Sequence, residues 1–256
     1  MSQDIIKVYA DPIAVAHAMA EDFITYANTC IEESGSCVVG VSGGSVGDAF
    51  FRVLGKEEYK SFVNWERIFV VWTDERFIPE DDPANYYGRV KALVGDETYT
   101  ILHMYPIATD KGSVLNAAAA YGKELHSVLD ANGKNALDLA LLDIGDDGHI
   151  CGLFPGSAAL SEKDYDVVPV KDGKVWDRGT VTMPFLAQSK SVWFGVSGDT
   201  KCSALAKVLN QREDYEDDPW YDRIGRVLPG AVLSQGLVRW YVDKAAAGKC
   251  MDKVLN

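Results

Sequence analysis

The segment LLDIGDDGHICGLFPG, residues 141 to 156, places one histidine among aspartates and glycines at the end of an apolar run. His149 follows Asp147 by two residues, so a carboxylate lies within reach of the imidazole. Histidine exchanges a proton near neutral pH, and a neighbouring carboxylate fixes its tautomer and stabilises its charged form. The pair predicts general-base catalysis, with His149 as the base and Asp147 as the group that orients it. A purely structural, hydrogen-bonded histidine is the alternative.

This segment contains parts of two metal-binding patterns, but neither ligand set is complete. Asp143, Gly145 and Asp147 resemble the start of a calcium loop, but its twelfth position is Phe154 instead of glutamate. Cys151 lies two residues after His149, and two ligands alone do not define a zinc site. We therefore expect no metal and no cofactor.

The glycine-rich stretch GVSGGSVG, residues 40 to 47, is a second candidate site. It matches neither the dinucleotide pattern G-x-G-x-x-G nor the lysine-containing loop of ATPases. Its amides at the start of a predicted helix nonetheless suit a phosphate, which makes Ser42, Gly43, Gly44 and Ser45 candidate binding residues. Two alternatives stay open: a turn that needs glycine only for steric reasons, and a G-x-S-x-G hydrolase turn with Ser42 as nucleophile.

Charged residues follow a further apolar run, IFVVWT, where TDER occupies residues 73 to 76. Carboxylates accept hydrogen bonds from sugar hydroxyls, and a guanidinium group binds phosphate through two hydrogen bonds. Asp74 and Arg76 are therefore candidates to bind a polar substrate. Arg178 and Lys201 would add local positive charge. The acids and Asn85 between residues 81 and 85 are predicted only to cap the next helix.

Alternating strands and helices must position these residues. The patterns predict buried strands at 37–41, 68–73, 137–144, 192–196 and 238–242, and helices at 12–34, 48–54, 86–93, 114–129 and 200–209, with a further helix at the C-terminus. This order predicts an α/β fold, with one domain over residues 1–256 and a doubly wound, mostly parallel sheet covered by helices on both faces. Ligands in such folds bind beyond the carboxyl ends of the strands, where the candidate residues fall.

Composition narrows the possible partners. The formal net charge of -13 argues against binding to nucleic acids or anionic membranes, and a phosphorylated substrate would need a local basic pocket. No signal-peptide pattern and no long apolar run occurs, so a soluble cytoplasmic protein is expected. The cysteines, five in number, are scattered and are expected to be reduced thiols.

Taken together, five segments resemble the 6-phosphogluconolactonases, which are similar in fold to glucosamine-6-phosphate deaminase. In chain order they are VSGGS at 41–45, TDER with DDPANY at 73–86, IGDDGHICGLFPG at 144–156, RGTVTMP at 178–184 and GDTK at 198–201. The resemblance implies hydrolysis of 6-phosphoglucono-δ-lactone in the pentose phosphate route, without a metal. It also implies that His149 activates water and that Asp147 orients the imidazole. The phosphate would lie against the glycine-rich turn, Arg178 and Lys201, with Asp74 and Arg76 in the same pocket.

Three rival functions remain at this stage. A glucosamine-6-phosphate deaminase has a similar G-x-D-G-H turn but typically continues toward N-E-P-G, whereas this sequence has LFPG with Phe154. A non-catalytic sugar-phosphate sensor on the same fold and the Ser42 hydrolase are the others. We expect a small sugar phosphate lactone as substrate, neither nucleic acid nor membrane as a partner, and a monomer or weak oligomer.

Overall fold

A computed structural model describes residues 4–110, 112–171, 175–233 and 237–248. Its strands are β1 Ile5–Tyr9, β2 Cys37–Val41, β3 Ile68–Trp72, β4 Asp74–Arg76, β5 His103–Tyr105, β6 Leu139–Leu142, β7 Val167–Val170, β8 Arg178–Val181, β9 Ser191–Val196 and β10 Leu237–Asp243. Its α-helices are α1 Pro12–Ser34, α2 Ser45–Leu54, α3 Glu57–Lys60, α4 Tyr86–Ile101, α5 Val114–Ala131, α6 Met183–Ala187, α7 Cys202–Asp214, α8 Trp220–Arg223, α9 Pro229–Val232 and α10 Lys244–Ala247.

The main sheet has seven strands in the order β1-β10-β9-β6-β2-β3-β5, and every neighbouring pair is parallel. The chain runs outward from β2 to β3 and β5 on one side, and from β6 to β9 and β10 on the other. The sheet therefore reverses its winding between β2 and β6, where doubly wound folds open a crevice for ligands. The predicted fold class is confirmed.

The register of the central strands brings the two loops at this crevice together. Val41 pairs with Leu141, and the next residue, Ser42, donates its backbone N–H to the carbonyl of Leu141 at 3.0 Å. All five residues of β2 are buried, as expected of a strand covered on both faces. The glycine-rich turn after β2 and the histidine segment after β6 thus start side by side.

Helix boundaries follow from local capping chemistry. Asp11 accepts a hydrogen bond from the amide of Ala14 at 2.9 Å, Pro12 is the first residue of α1, and Gly35 ends the helix at φ 83°, all as the sequence predicts. The helix predicted from Asp48 instead starts at Ser45, because Gly44 acts as its N-cap residue. Weak helix formers in the first turn hide this start from a propensity argument.

A second, smaller sheet is absent from the sequence prediction. It has three antiparallel strands in the order β4-β8-β7, and it pairs Arg76 with Arg178 and Asp74 with Thr180. Residues 74–76, which belong to no predicted strand, therefore form β4. The strand is short and fully charged, so it carries no apolar alternation to reveal it. It places the TDER residues directly against the RGTV segment.

The structure differs from the sequence prediction in other elements as well. Strands β1, β5 and β7 have five residues or fewer and were not predicted. The helix predicted to end near Leu93 continues to Ile101 through a break at Gly95. No helix in the described part of the chain is long and apolar enough to cross a bilayer.

Candidate active site

A cleft of about 220 Å³ opens at the carboxyl ends of the central strands. It collects most of the predicted site residues, namely Ser42, Gly43, Gly44, Asp74, Arg76, His149, Arg178 and Lys201. Ser45 is exposed at the first position of α2 and does not line the cleft. Asp147 lies next to His149 without lining the cleft itself.

His149 and Asp147 form a close pair. Asp147 Oδ1 lies 2.6 Å from His149 Nδ1 and also accepts the backbone N–H of His149 at 3.0 Å. A carboxylate at this distance favours the tautomer with the proton on Nδ1, which leaves Nε2 as an acceptor. The arrangement gives the imidazole a defined orientation, with Nε2 as its acceptor nitrogen.

The imidazole is held between an aromatic ring and a glycine. The rings of Phe154 and His149 have centroids 4.5 Å apart at an interplanar angle of 41°. On Gly145, a Cβ atom would stand 2.1 Å from the imidazole, so this position accepts no side chain while the ring stays where it is. The turn itself is closed by the Gly145 N–H, which donates to the His149 carbonyl at 2.8 Å. Packing on both sides therefore fixes the ring.

The glycine-rich turn brings a helix N-terminus to the cleft. Gly44 has φ 147°, and a Cβ on it would meet the Asp143 carboxylate at 2.2 Å, so both its conformation and its surroundings require glycine. Because the first amides of any α-helix lack partners within the helix, the start of α2 offers donors to an anion. Ser42 is buried, and its Oγ accepts the Asp143 N–H at 3.1 Å.

Basic side chains in the cleft are already paired with acids or with backbone oxygens. Arg178 donates to Asp74 at 2.9 Å, and Lys201 forms an ion pair with Asp143. Arg76 behaves differently: its guanidinium donates to the Ala84 carbonyl at 2.6 Å and lies 4.8 Å from the centre of the Trp176 ring. These contacts hold positive charge at the cleft in defined positions.

Burial shifts the protonation of two acids that line the cleft. It raises the pKa of Glu75 to about 7, although the amides of Arg76, Tyr86 and Tyr87 donate to that carboxyl group at 2.8, 2.9 and 2.9 Å. Burial also raises the pKa of Asp143, against the opposing charge and hydrogen bond of Lys201. Both groups gain protons more readily than an exposed acid, which makes the cleft less negative than its residue types suggest.

Several lining residues were not predicted: Glu75, Tyr86, Arg89, Asp143 and Cys151. Arg89 lies on α4, pairs with Asp48 of α2 at 3.2 Å and stacks over the Tyr86 ring at 5.4 Å. Its only sequence signal is its position in the first turn of the helix after DDPANY. Asn85 does cap that helix, as predicted, since its Oδ1 accepts the Gly88 N–H at 2.9 Å.

The fold and the position of the cleft define a class: α/β proteins with a cleft at the point where a doubly wound sheet reverses its winding. Residues 10–226 match the family model described as Glucosamine-6-phosphate isomerases/6-phosphogluconolactonase. The chain therefore belongs to this family, and the resemblance inferred from the five segments is confirmed.

The similarity to named relatives covers nearly the whole chain. The 6-phosphogluconolactonase of Mycobacterium tuberculosis is 29% identical over 252 residues, which span 95% of this chain and 97% of the relative. The 6-phosphogluconolactonase of Rattus norvegicus is 28% identical over 259 residues, covering 95% and 92% of the two chains. The similarity is thus not confined to one segment.

Solved structures show the same fold at lower identity. The 6-phosphogluconolactonase of Trypanosoma brucei superposes with a TM-score of 0.78 at 17% identity, covering 97% of this chain and 99% of the other. A monomeric glucosamine-6-phosphate deaminase superposes with a TM-score of 0.71 at 18% identity, covering 95% and 98%. Since both activities occur on this fold, the fold alone does not choose between them.

Proposed function

We propose that this protein hydrolyses the lactone of 6-phosphogluconate, 6-phosphoglucono-1,5-lactone, and requires neither a metal nor a cofactor. The observation that carries the proposal is the His149–Asp147 pair at the rim of a cleft lined by Arg76, Arg89, Arg178 and Lys201. One end of the substrate needs a base, and the other end needs cations. The relatives named as 6-phosphogluconolactonases over 95% of this chain support the same activity.

The proposed reaction begins with water beside His149 Nε2. The imidazole takes a proton from the water as the oxygen attacks C1 of the lactone, and Asp147 stabilises the resulting imidazolium. The imidazolium then gives the proton to the ring oxygen as the C1–O bond breaks. The products are a carboxylic acid, which ionises, and a free hydroxyl group, so one water is consumed and the catalyst is restored.

The phosphate is proposed to bind at the start of α2, against Ser42, Gly43, Gly44 and Ser45, with Arg178 and Lys201 close by. Amides at a helix N-terminus and cationic side chains both favour an anion. Asp74 and Arg76 would line the same pocket and contact the sugar hydroxyls or the phosphate. Ion pairing of Arg178 with Asp74 and of Lys201 with Asp143 keeps these cations in place before the substrate arrives.

The demand on such a catalyst is modest. Orienting the substrate contributes through proximity, and a positioned base adds roughly 10²–10⁴-fold. A δ-lactone is an activated ester, so no covalent intermediate is needed. The hydrogen bond described for Ser42 Oγ comes from the Asp143 N–H, and the described partner of the His149 ring nitrogen is Asp147, so a Ser42–His149 catalytic pair has no support from these contacts.

The deciding experiment measures two reactions in parallel. Lactone is generated in situ from glucose 6-phosphate, and its disappearance is followed with and without the protein; ammonia release from glucosamine 6-phosphate is followed beside it. We expect faster lactone loss and no ammonia. An unchanged lactone lifetime at micromolar protein contradicts the proposal, and ammonia release would favour the deaminase.

Variants identify the base and separate catalysis from binding. His149→Ala should abolish turnover while 6-phosphogluconate still binds. His126→Ala is the matched control, because His126 also contacts an aspartate, Asp166, at 2.7 Å but lies outside the cleft. Full activity in His149→Ala rules out the proposed base, loss of product binding points to a structural role, and a fluorophosphonate adduct on Ser42 would establish the serine-hydrolase alternative.

A further inference from the structure

Two cysteine side chains meet at the amino end of the sheet. Cys30 lies near the C-terminal end of α1, and Cys37 is the first residue of β2. Their sulfur atoms lie within 4.8 Å of one another, and the side chains share a hydrogen bond. The chain between them reverses direction at Gly35, where φ is 83°. The fold therefore holds two thiols in contact although no C-x-x-C motif is present.

The two thiols differ in their surroundings. The hydrogen bond from Cys37, with the charges of Lys134 and Lys190, lowers the pKa of Cys30 against the opposing effects of burial and of Asp138. The same hydrogen bond and burial raise the pKa of Cys37. Cys30 is 7% exposed, whereas Cys37 is fully buried. Cys30 is thus both the more accessible thiol and the one that more readily forms the reactive thiolate.

A metal ion is the less suitable occupant of this cluster. Asp138 completes a group of three potential ligands with Cys30 and Cys37. Its Oδ1 already binds Lys190 at 2.8 Å, and its Oδ2 binds Lys134 at 2.7 Å and the Val38 N–H at 2.9 Å. A cation would have to displace two ammonium groups to reach this carboxylate. The lysines instead favour negative charge on sulfur.

We propose that Cys30 and Cys37 form a redox site that converts reversibly to a disulfide on reaction with a peroxide. The Cys30 thiolate attacks one oxygen of hydrogen peroxide, which breaks the O–O bond and yields Cys30 sulfenic acid and hydroxide. Cys37 then attacks the sulfenic sulfur, so the S–S bond forms and a second hydroxide leaves. With the two thiol protons these become two waters: the thiol pair loses two electrons and the peroxide gains them.

The site is separate from the cleft. Cys37 is the first residue of β2 and Ser42 follows its last residue, and five residues of strand correspond to about 16 Å. The thiol that does line the cleft, Cys151, is buried, and burial raises its pKa. Of these two places, peroxide should therefore react faster at Cys30 than at Cys151. The catalytic groups stay unmodified, so oxidation and the proposed lactone hydrolysis are measured independently.

The test uses the reduced, full-length protein treated with hydrogen peroxide at about one equivalent. Thiols titrated after denaturation should fall from five to three, and dithiothreitol should restore them. A glutamate-specific protease cleaves after Glu32 or Glu33, between the two cysteines, so the disulfide would hold two fragments together until reduction. Because this experiment uses the wild-type sequence, it tests the proposal even if cysteine variants fold poorly.

Two variants assign the roles of the thiols. Cys37→Ala should stop at the Cys30 sulfenic acid, which dimedone traps, and should form no fragment-linking bond. Cys202→Ala removes a thiol outside the pair and should still form the disulfide. Five titratable thiols after peroxide treatment, or a disulfide that joins any other cysteines, would overturn the proposal.

Discussion

One oxygen of Asp147 binds His149 twice: Oδ1 lies 2.6 Å from Nδ1 of the ring and 3.0 Å from the backbone nitrogen of the same residue. The first contact selects the tautomer, and the second ties the carboxylate to the turn that carries the histidine. Since the two residues are only two positions apart, this geometry follows from a short turn and needs no distant element. The side chains that we propose as the base and its orienting group therefore move together.

Replacing Asp147 with asparagine should keep the turn but weaken the preference for one tautomer, because an amide can present either its oxygen or its NH2 group to Nδ1. The amide oxygen can still accept both hydrogen bonds, but it no longer stabilises the imidazolium by charge. We expect kcat for the lactone to fall on the order of 10²-fold with little change in KM. The measurement is steady-state hydrolysis at neutral pH. Full kcat in Asp147→Asn would show that the carboxylate charge plays no part.

Much of this site is encoded locally. The buried strand patterns at 37–41 and 137–144 predict two neighbouring strand ends, although the second strand ends earlier, at Leu142. The glycines and polar residues near these ends predict which groups are displayed there. The association of Asp74 with Arg178 could not be predicted, because it depends on a three-residue strand that pairs more than 100 positions away along the chain. Arg89 was missed for a similar reason: the packing of α4 against α2, and no local pattern, directs it to the cleft.

Phe154 should matter for catalysis through its contact with the imidazole. Its ring lies beside His149, and the Arg178 guanidinium lies 5.3 Å from its centre, so the same ring contacts both the proposed base and a cation. Phe154→Leu keeps an apolar side chain but loses the flat face, and we expect kcat to fall about 10-fold because the base is less well oriented. Product binding, measured by calorimetry, should change less. Phe62→Leu, at a side chain 59% exposed and outside the cleft, is the control.

A drop in product affinity that matches the drop in kcat would instead make Phe154 a binding residue. In that case its contact with Arg178, and not the one with His149, would carry its effect.

Variants of the Asp74–Arg178 ion pair should distinguish its contribution to stability from the contribution of Arg178 to activity. Both side chains are largely buried, so removing only one partner leaves an unpaired charge. Arg178→Gln is expected to lower the free energy of unfolding by about 3 kcal/mol, and Asp74→Asn together with Arg178→Gln should recover part of that loss. Urea unfolding of the wild type, both single variants and the double variant measures the coupling. Activity should stay low in the double variant, since the cation is still missing.

Equal stability losses that simply add in the double variant would show that the two charges do not interact. The 2.9 Å contact would then contribute geometry but no coupling energy.

The last prediction concerns Glu75, whose buried carboxyl group accepts the N–H groups of Tyr86 and Tyr87 at the start of α4. Its pKa is about 7 in the folded protein, above the ordinary value of 4.5. Between these values the folded state holds a proton that the unfolded state has lost, so the free energy of unfolding falls as pH rises from about 4.5 to about 7. A shift of this size corresponds to about 3 kcal/mol, and above pH 7 the effect is constant.

Glu75→Gln removes this titration, so the difference in unfolding free energy between wild type and variant should shift in favour of the variant between pH 5 and pH 8. Urea unfolding at both pH values measures it, with Glu58→Gln as the control because that side chain is 63% exposed. A pH-independent difference would mean that Glu75 ionises at an ordinary pH, and that its contacts with α4 offset its burial.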